Sequence, residues 1–341
     1  MTTAFVSGAT GFIAQHIVKQ LLAENFTVVG TVRSQQKADK LSKLFNNDKL
    51  HLEIVPDLTA PNAFDEALEK HPETSIFLHT ASPVSFGGKD PEKDFLLPAI
   101  EGTKNGLRAI QKHGHNVKRV GLTSSYAAVG NTLETPPKGT VITEESWNPI
   151  TWEQALSNES AAYAGSKTFA EKAAWEFVEK EKPQFTLSVV NPTYVFGPQA
   201  FDETVKGELG FSSDLLKSVL SFKPGDTVKE FKGGFIDVRD VAKAHIVAAQ
   251  TDEIQGKRLL LTEHRFTFQM ILNIVREKFP ELRDSLAVGE PERAHEGLSD
   301  LIVDNSKTKK ILGFKFISLE DDVYDSVSQL LKYNDLEDLR N

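Results

Sequence analysis

From Thr3 to about Thr262, short β-branched runs alternate with longer helix-like stretches, and this alternation constrains the chain more than any other feature. Strands separated by amphipathic helices return to one sheet as parallel neighbours, because each crossover has to cover a face of that sheet. The predicted strands lie at 4–7, 27–31, 52–55, 76–80, 119–123, 186–190 and 258–261. Several are continuous apolar runs, which suits burial on both faces. Between the first two, Ile13, Ile17 and Leu21 recur at helical spacing and give one stripe facing the sheet.

Two stretches interrupt the pattern. Residues 200–234 are rich in Phe, Lys and Gly, and the segment beyond Glu263 carries helix-like runs at 268–279 and near 319–333. Between them, 235–250 reads as an amphipathic helix with Val238, Val241, Ala242, His245 and Ile246 on one side. The expected division is residues 1–190 plus about 235–262 in a dinucleotide-binding domain, and about 191–234 plus 263–341 in a smaller, mostly helical substrate lobe. There is no internal repeat and no low-complexity tract.

Directly after the first strand comes Gly8-Ala9-Thr10-Gly11-Phe12-Ile13-Ala14, which opens into the amphipathic helix. Glycine serves where φ is positive or where backbone must approach a pyrophosphate, and a helix N-terminus offers unpaired N–H groups to phosphate. The fold expected is therefore α/β, a Rossmann-type doubly wound parallel sheet. The second strand ends Val32-Arg33-Ser34 with no Asp or Glu to bind a ribose 2′-hydroxyl. Arg33 can hold a 2′-phosphate bidentately, with Ser34 and Lys37 as further donors, so NADP(H) is favoured over NAD(H). Asp57 and Leu58 suit an adenine contact, and Ala81-Ser82-Pro83 suits close approach to the cofactor; both also fit a purely structural role.

Tyr163-Ala164-Gly165-Ser166-Lys167 places a phenol and an ammonium one helical turn apart. A nearby cation, together with an oxidised nicotinamide, is expected to lower the phenol pKa toward the working range of a proton donor. Thr123-Ser124-Ser125-Tyr126 ends the fifth predicted strand, where open α/β sheets present reactive side chains. A serine hydroxyl there would steady a substrate oxygen. Asn191-Pro192-Thr193-Tyr194-Val195 ends the sixth and turns toward the second lobe. Pocket candidates are Val84, Phe86, Tyr126, Gly130 and Tyr194, with Val84 and Gly130 leaving room for larger groups; each aromatic fits core packing equally well.

With Cys 0 the chain has no disulfide, cysteine-ligated metal or thiol nucleophile, which fits a reducing compartment. Lys+Arg 39 against Asp+Glu 48 gives a net charge of -9, which argues against nucleic-acid or anionic-membrane binding. The nine histidines show no metal-ligand motif. His79 is expected to be packed or hydrogen-bonded, His113 and His115 to be exposed helix-end residues, and 307–310 to form a basic helix C-terminus. No signal peptide or membrane span is expected, so the expected location is cytoplasmic.

The chain resembles the extended short-chain dehydrogenases/reductases and, more narrowly, the fungal NADPH-dependent methylglyoxal and 3-methylbutanal reductases, relatives of plant dihydroflavonol and cinnamoyl-CoA reductases. The resemblance rests on F-V-S-G-A-T-G-F-I-A-Q-H-I-V at 5–18, H-T-A-S-P at 79–83, L-T-S-S-Y-A-A at 122–128, Y-A-G-S-K at 163–167 and N-P-T-Y-V-F-G-P-Q at 191–199, with F-I-D-V-R-D-V-A-K-A-H at 235–245 and L-G-F-K-F at 312–316. It implies Tyr163 as acid/base, Lys167 on the nicotinamide ribose and Ser125 on the carbonyl oxygen, with Ser124 the alternative. It also implies that Gly8, Ala9, Thr10, Gly11, Phe12, Ile13, Arg33, Lys37, Asp57, Leu58, Tyr163, Lys167, Val195 and Ser212 contact NADPH. Where many relatives carry an Asn in the helix after the fourth strand, this chain has Ala99, which points to a proton relay through Lys167 and water. The implied activity is reduction of an aldehyde or ketone by direct hydride transfer. A nucleotide-sugar epimerase or dehydratase and a non-catalytic NADP-sensing regulator are the competing readings, and by analogy the family allows a homodimer.

Overall fold

All seven expected strands form, as β1 (Thr3–Ser7), β2 (Thr27–Val32), β3 (Leu50–Ile54), β4 (Thr74–His79), β5 (Arg119–Thr123), β7 (Thr186–Pro192) and β10 (Arg258–Leu261). They make one parallel sheet in the order β10-β7-β5-β4-β1-β2-β3. The computed structural model describes residues 2–82, 87–131, 133–134, 137–206 and 211–340. Strand order reverses between β1 and β4, and a crevice opens beyond the carboxyl ends of such a pair.

The apolar pattern explains the layering. On one face the helix Phe12–Ala23 buries Ile17 and Leu21, and the helix Val238–Gln250 adds Ala242 and Ile246. On the other, Leu107 and Ile110 of Leu97–His113 and Ala174 of Glu159–Glu181 close over Phe64, Phe77 and Leu187. The rings of Phe5 and Phe77 stack at 4.6 Å across the β1–β4 junction.

Five further strands form among the described residues: β6 (Thr140–Ile142), β8 (Tyr194–Phe196), β9 (Lys232–Asp237), β11 (His264–Thr267) and β12 (Leu301–Val303). β11, β9 and β8 form a second sheet, and β12 pairs with β6. Phe222 and Phe231 of the Phe-rich interruption pack against a separate apolar core, where Phe196, Phe235 and Phe266 meet Ile271 and Val323 of the C-terminal helices. Gly233-Gly234 hides β9 from a propensity reading, yet the glycines are needed. A Cβ on Gly234 would lie 2.6 Å from Thr193 Cγ2, and one on Gly233 2.6 Å from the Tyr194 ring.

The sequence pattern begins the next helix at 235, whereas β9 runs on to Asp237 and the helix starts at Val238. The reason is a cap: Asp237 Oδ1 accepts from Arg239 N at 2.7 Å. The 307–310 segment lies within the helix Ser306–Leu312, whose last turn carries Lys309 and Lys310 and whose end is a left-handed Gly313. His115 is exposed, but His113 is not a free helix-end residue: it folds onto Asp65 at 3.0 Å and Glu69 at 3.1 Å. Among the described residues no helix is long and apolar enough to cross a membrane.

The cap carries a pH-dependent cost. Asp237 is fully buried and gripped by Arg239, which also pairs with Asp325. Asp322, on the helix Leu319–Tyr333, is buried beside it, and burial together with the Asp237 charge pushes its carboxyl well above the usual range. A group protonated in the folded state and ionised in the unfolded one loses its stabilising contribution as pH rises from about 4 toward its folded pKa. Asp322→Asn keeps the neutral form at every pH. Thermal melts should place this variant a few degrees above the wild type at pH 8, with a smaller gap at pH 5; a gap that is constant with pH would reject the assignment.

Candidate active site

Gly8 takes φ +69, and a Cβ there would sit 3.0 Å from Ala81 Cβ, so both conformation and space demand glycine. Its N–H donates to Thr31 Oγ1 at 3.0 Å and Ala9 N to Thr31 O at 2.8 Å, which fastens the loop to β2. Gly30 makes that approach feasible, since a Cβ on it would come within 2.8 Å of Ala9 Cβ. Gly11 caps the helix Phe12–Ala23 with no side-chain acceptor and no acid in the first turn. The helix N-terminus therefore has no side-chain acceptor of its own, which is the arrangement an anion site requires. Phe12 and Ile13 pack against the cluster that buries Val195, so these three form the wall behind the loop.

A cleft of about 260 Å3 opens at the strand-order reversal, lined by Gly8, Thr10, Gly11, Arg33, Lys37 and Leu58 among others. Arg33 and Lys37 are exposed at its rim. Ser34, expected as a phosphate donor, caps the next helix by accepting from Lys37 N at 3.4 Å. Asp57 accepts from Thr59 Oγ1 at 2.7 Å and Thr59 N at 2.8 Å; these bonds, with Arg33 nearby, hold its carboxyl below the ordinary value. Leu58 is seated against Gly102, where no side chain would fit. Three carbonyls of this loop, on Leu58, Thr59 and Ala60, accept from Asn105 Nδ2. Nearly two turns earlier, at the place where the resemblance leads one to expect an amide, stands Ala99, which is buried.

At the carboxyl end of β5, Ser125 caps a short turn at Tyr126–Ala128, its Oγ accepting from Ala127 N at 3.1 Å. Tyr163 Oη donates to the same oxygen at 3.5 Å. Lys167 Nζ lies 5.7 Å from the centre of the Tyr163 ring. Both side chains keep part of their surface open, yet they are enclosed deeply enough for burial to dominate their chemistry. It pushes the Tyr163 phenol up, against the lowering expected from sequence, while the Ser125 bond draws it down. It also pushes the Lys167 ammonium down to about 8. Of the two serines, Ser125 faces Tyr163, and Ser124 donates to Glu171 Oε2 at 2.6 Å.

Tyr126 and Tyr194 are largely buried, and burial raises both phenols. Tyr194 packs on Phe231 and Phe266. Gly130 corrects an expectation. The space above it is taken by the Tyr126 hydroxyl, 2.4 Å from where a Cβ would be, so this glycine seats a ring and does not widen the pocket. Ser212 lies in the first turn of the helix Phe211–Leu220, and Val84 and Phe86 lie outside the described residues.

Sequence reasoning missed a buried polar cluster behind the serines. Glu171 Oε2 also accepts from Asn191 Nδ2 at 2.7 Å, and Oε1 accepts from Arg258 Nε at 2.6 Å and Trp175 Nε1 at 3.3 Å. Arg258 donates further to the carbonyls of Glu144, Ser146 and Ala128 and stacks 3.9 Å from the Trp147 ring centre. A signal existed, since Glu171 lies four and eight residues past Lys167 and Tyr163, on their face of the helix.

The model of the NAD dependent epimerase/dehydratase family matches residues 4–260. The chain is 53% identical over 336 residues to a putative NADPH-dependent methylglyoxal reductase of Candida albicans, covering 97% of this chain and 98% of that one. It is 49% identical over 337 residues to the NADPH-dependent methylglyoxal reductase of Saccharomyces cerevisiae, with 97% and 98% covered. Among solved structures it is similar to yeast methylglyoxal/isovaleraldehyde reductase complexed with NADPH, with TM-score 0.94, 49% identity, and 97% and 99% of the two chains covered. A UDP-glucose 4-epimerase of Bifidobacterium longum shares the fold at TM-score 0.72 and 19% identity. With the glycine loop, the Ser125–Tyr163–Lys167 arrangement and these likenesses together, the chain belongs to the NAD dependent epimerase/dehydratase family.

Proposed function

We infer that this chain is an NADPH-dependent carbonyl reductase that converts aldehydes and ketones, of methylglyoxal type, 3-methylbutanal type or bulkier, to alcohols. The observation that carries the reading is convergence: Ser125, Tyr163 and Lys167 meet beyond the carboxyl end of β5, beside a glycine loop flanked by Arg33 and Lys37. The bound cofactor supplies the hydride. The glycine cradle and the uncapped helix end suit its pyrophosphate, and the two cations at the rim suit a 2′-phosphate. An acid at the tip of β2, which an NAD-retaining sugar epimerase would use, is not there. The cysteine-free composition fits a reducing compartment, of which the cytoplasm is the default for such an enzyme.

In the reducing direction the donor must hold its proton until negative charge develops on the substrate oxygen. Burial of the Tyr163 phenol does this. Ser125 Oγ accepts from Ala127 N, which leaves its own O–H for the developing oxyanion once Tyr163 Oη turns its single proton from Ser125 to that same substrate oxygen. Lys167 would hold the ribose hydroxyls of the bound cofactor, and its ammonium would offer a route by which the Tyr163 proton is replaced.

Tyr163→Phe should leave the NADPH Kd within about twofold while lowering kcat by at least about 100-fold, the scale of a general acid. Wild-type turnover in that variant would sink the assignment. For Arg33→Ala, losing a charge-assisted phosphate bond should raise the NADPH KM about 10- to 100-fold and leave the NADH KM unchanged. An unaltered cofactor preference would mean that another group reads the 2′-phosphate. Because Lys167 loses its charge as pH rises through about 8, kcat/KM for reduction should be flat at neutral pH and fall above that value. Lys167→Arg, which keeps its charge, should move the falling limb upward; a limb at the same pH in both proteins would assign it to a different group.

A further inference from the structure

Glu171 is almost wholly buried and receives four donors from four parts of the chain: Ser124 after β5, Asn191 within β7, Arg258 of β10 and Trp175 of its own helix. A buried ion pair is weak evidence for stability, because desolvation offsets much of its attraction, and fixing one arrangement is its better-attested use. Here the arrangement being fixed is the reactive one. Ser124 is bonded in sequence to Ser125, and Asn191 Nδ2 also donates to Ser125 O at 3.2 Å. Thus both groups that Glu171 Oε2 holds are groups that set the position of Ser125.

The other end of the device is the helix. Tyr163, Lys167 and Glu171 are spaced by four residues along Glu159–Glu181, so they share one face over roughly 12 Å. Arg258 completes the frame by binding the carbonyls of Ala128, Glu144 and Ser146, which hold the segment after Tyr126 against the same helix. We propose that Glu171, clamped by Arg258, is a positioning residue for carbonyl reduction, fixing the Ser125 hydroxyl relative to Tyr163 through Ser124 and Asn191. This rests on the reductase reading above. A hydroxyl 3.5 Å from Tyr163 Oη is close enough to share one substrate oxygen only while both carriers stay in register.

The test uses Glu171→Gln, Ser124→Ala and the double variant in the full chain, with NADPH affinity from cofactor fluorescence and kcat from NADPH oxidation with methylglyoxal. Wild-type activity tests the reductase reading itself, so failure there is distinguishable from failure of this inference. Each single variant should bind NADPH within about twofold of the wild type and lose about tenfold in kcat. The double variant should lose no more than the worse single one, since Ser124 acts only through its bond to Glu171. Independent, multiplying losses, or a kcat within twofold of the wild type in either single variant, would overturn the proposal. Equal losses in kcat and in NADPH affinity would also overturn it, as the mark of general destabilisation. Should Glu171→Gln not fold, Ser124→Ala alone decides: it removes only a hydroxyl, and unchanged kcat overturns the proposal while a tenfold fall at unchanged NADPH affinity supports it.

Discussion

The end of β1 is tied to the end of β4 through one buried hydroxyl, and the site is suspended from that tie. Ser7 Oγ lies 3.0 Å from Thr80 N, Ala81 N and His79 Nδ1. The two amides fill its acceptor capacity, so its own proton goes to His79, which must be neutral and protonated at Nε2. Burial agrees, holding the His79 ring down at about 4. Hydrogen-bond arithmetic thus fixes where Ala81 runs, and Ala81 is the atom wall that Gly8 nearly touches. The glycine loop, the cleft and the cofactor cradle all inherit their position from a serine that a motif reader passes over on the way to the glycines.

The main sheet was legible because its information is local and periodic. Most of its strands carry a run of apolar residues bounded by turns, and burial on both faces is what such runs require, while the edge strand β3 alternates and stays partly exposed. The second sheet was not legible. β8 has three residues and β11 four, and β9 opens with a lysine and two glycines, so neither length nor propensity marks them. Their existence depends on rings brought together from Phe196, Phe235 and Phe266, far apart in sequence.

Within the site the same division holds. Tyr163 and Lys167 are one turn apart and readable as a pair, and the glycine loop follows its strand immediately. Two adjacent serines were not separable by counting; what distinguishes them is Glu171, 47 residues downstream of Ser124. The direction in which burial moves the Tyr163 phenol was hidden for a related reason. Spacing reports that a cation is near a phenol but not how much solvent either has lost, and for this pair burial outweighs proximity.

The packing of Tyr126 over Gly130 couples the two positions. A side chain introduced at position 130 would meet the Tyr126 hydroxyl first, so it is admitted only where that ring swings aside. The room at this wall is therefore governed by the rotamer of residue 126, and a shorter residue at 126 opens space at 130 without any change to the glycine itself.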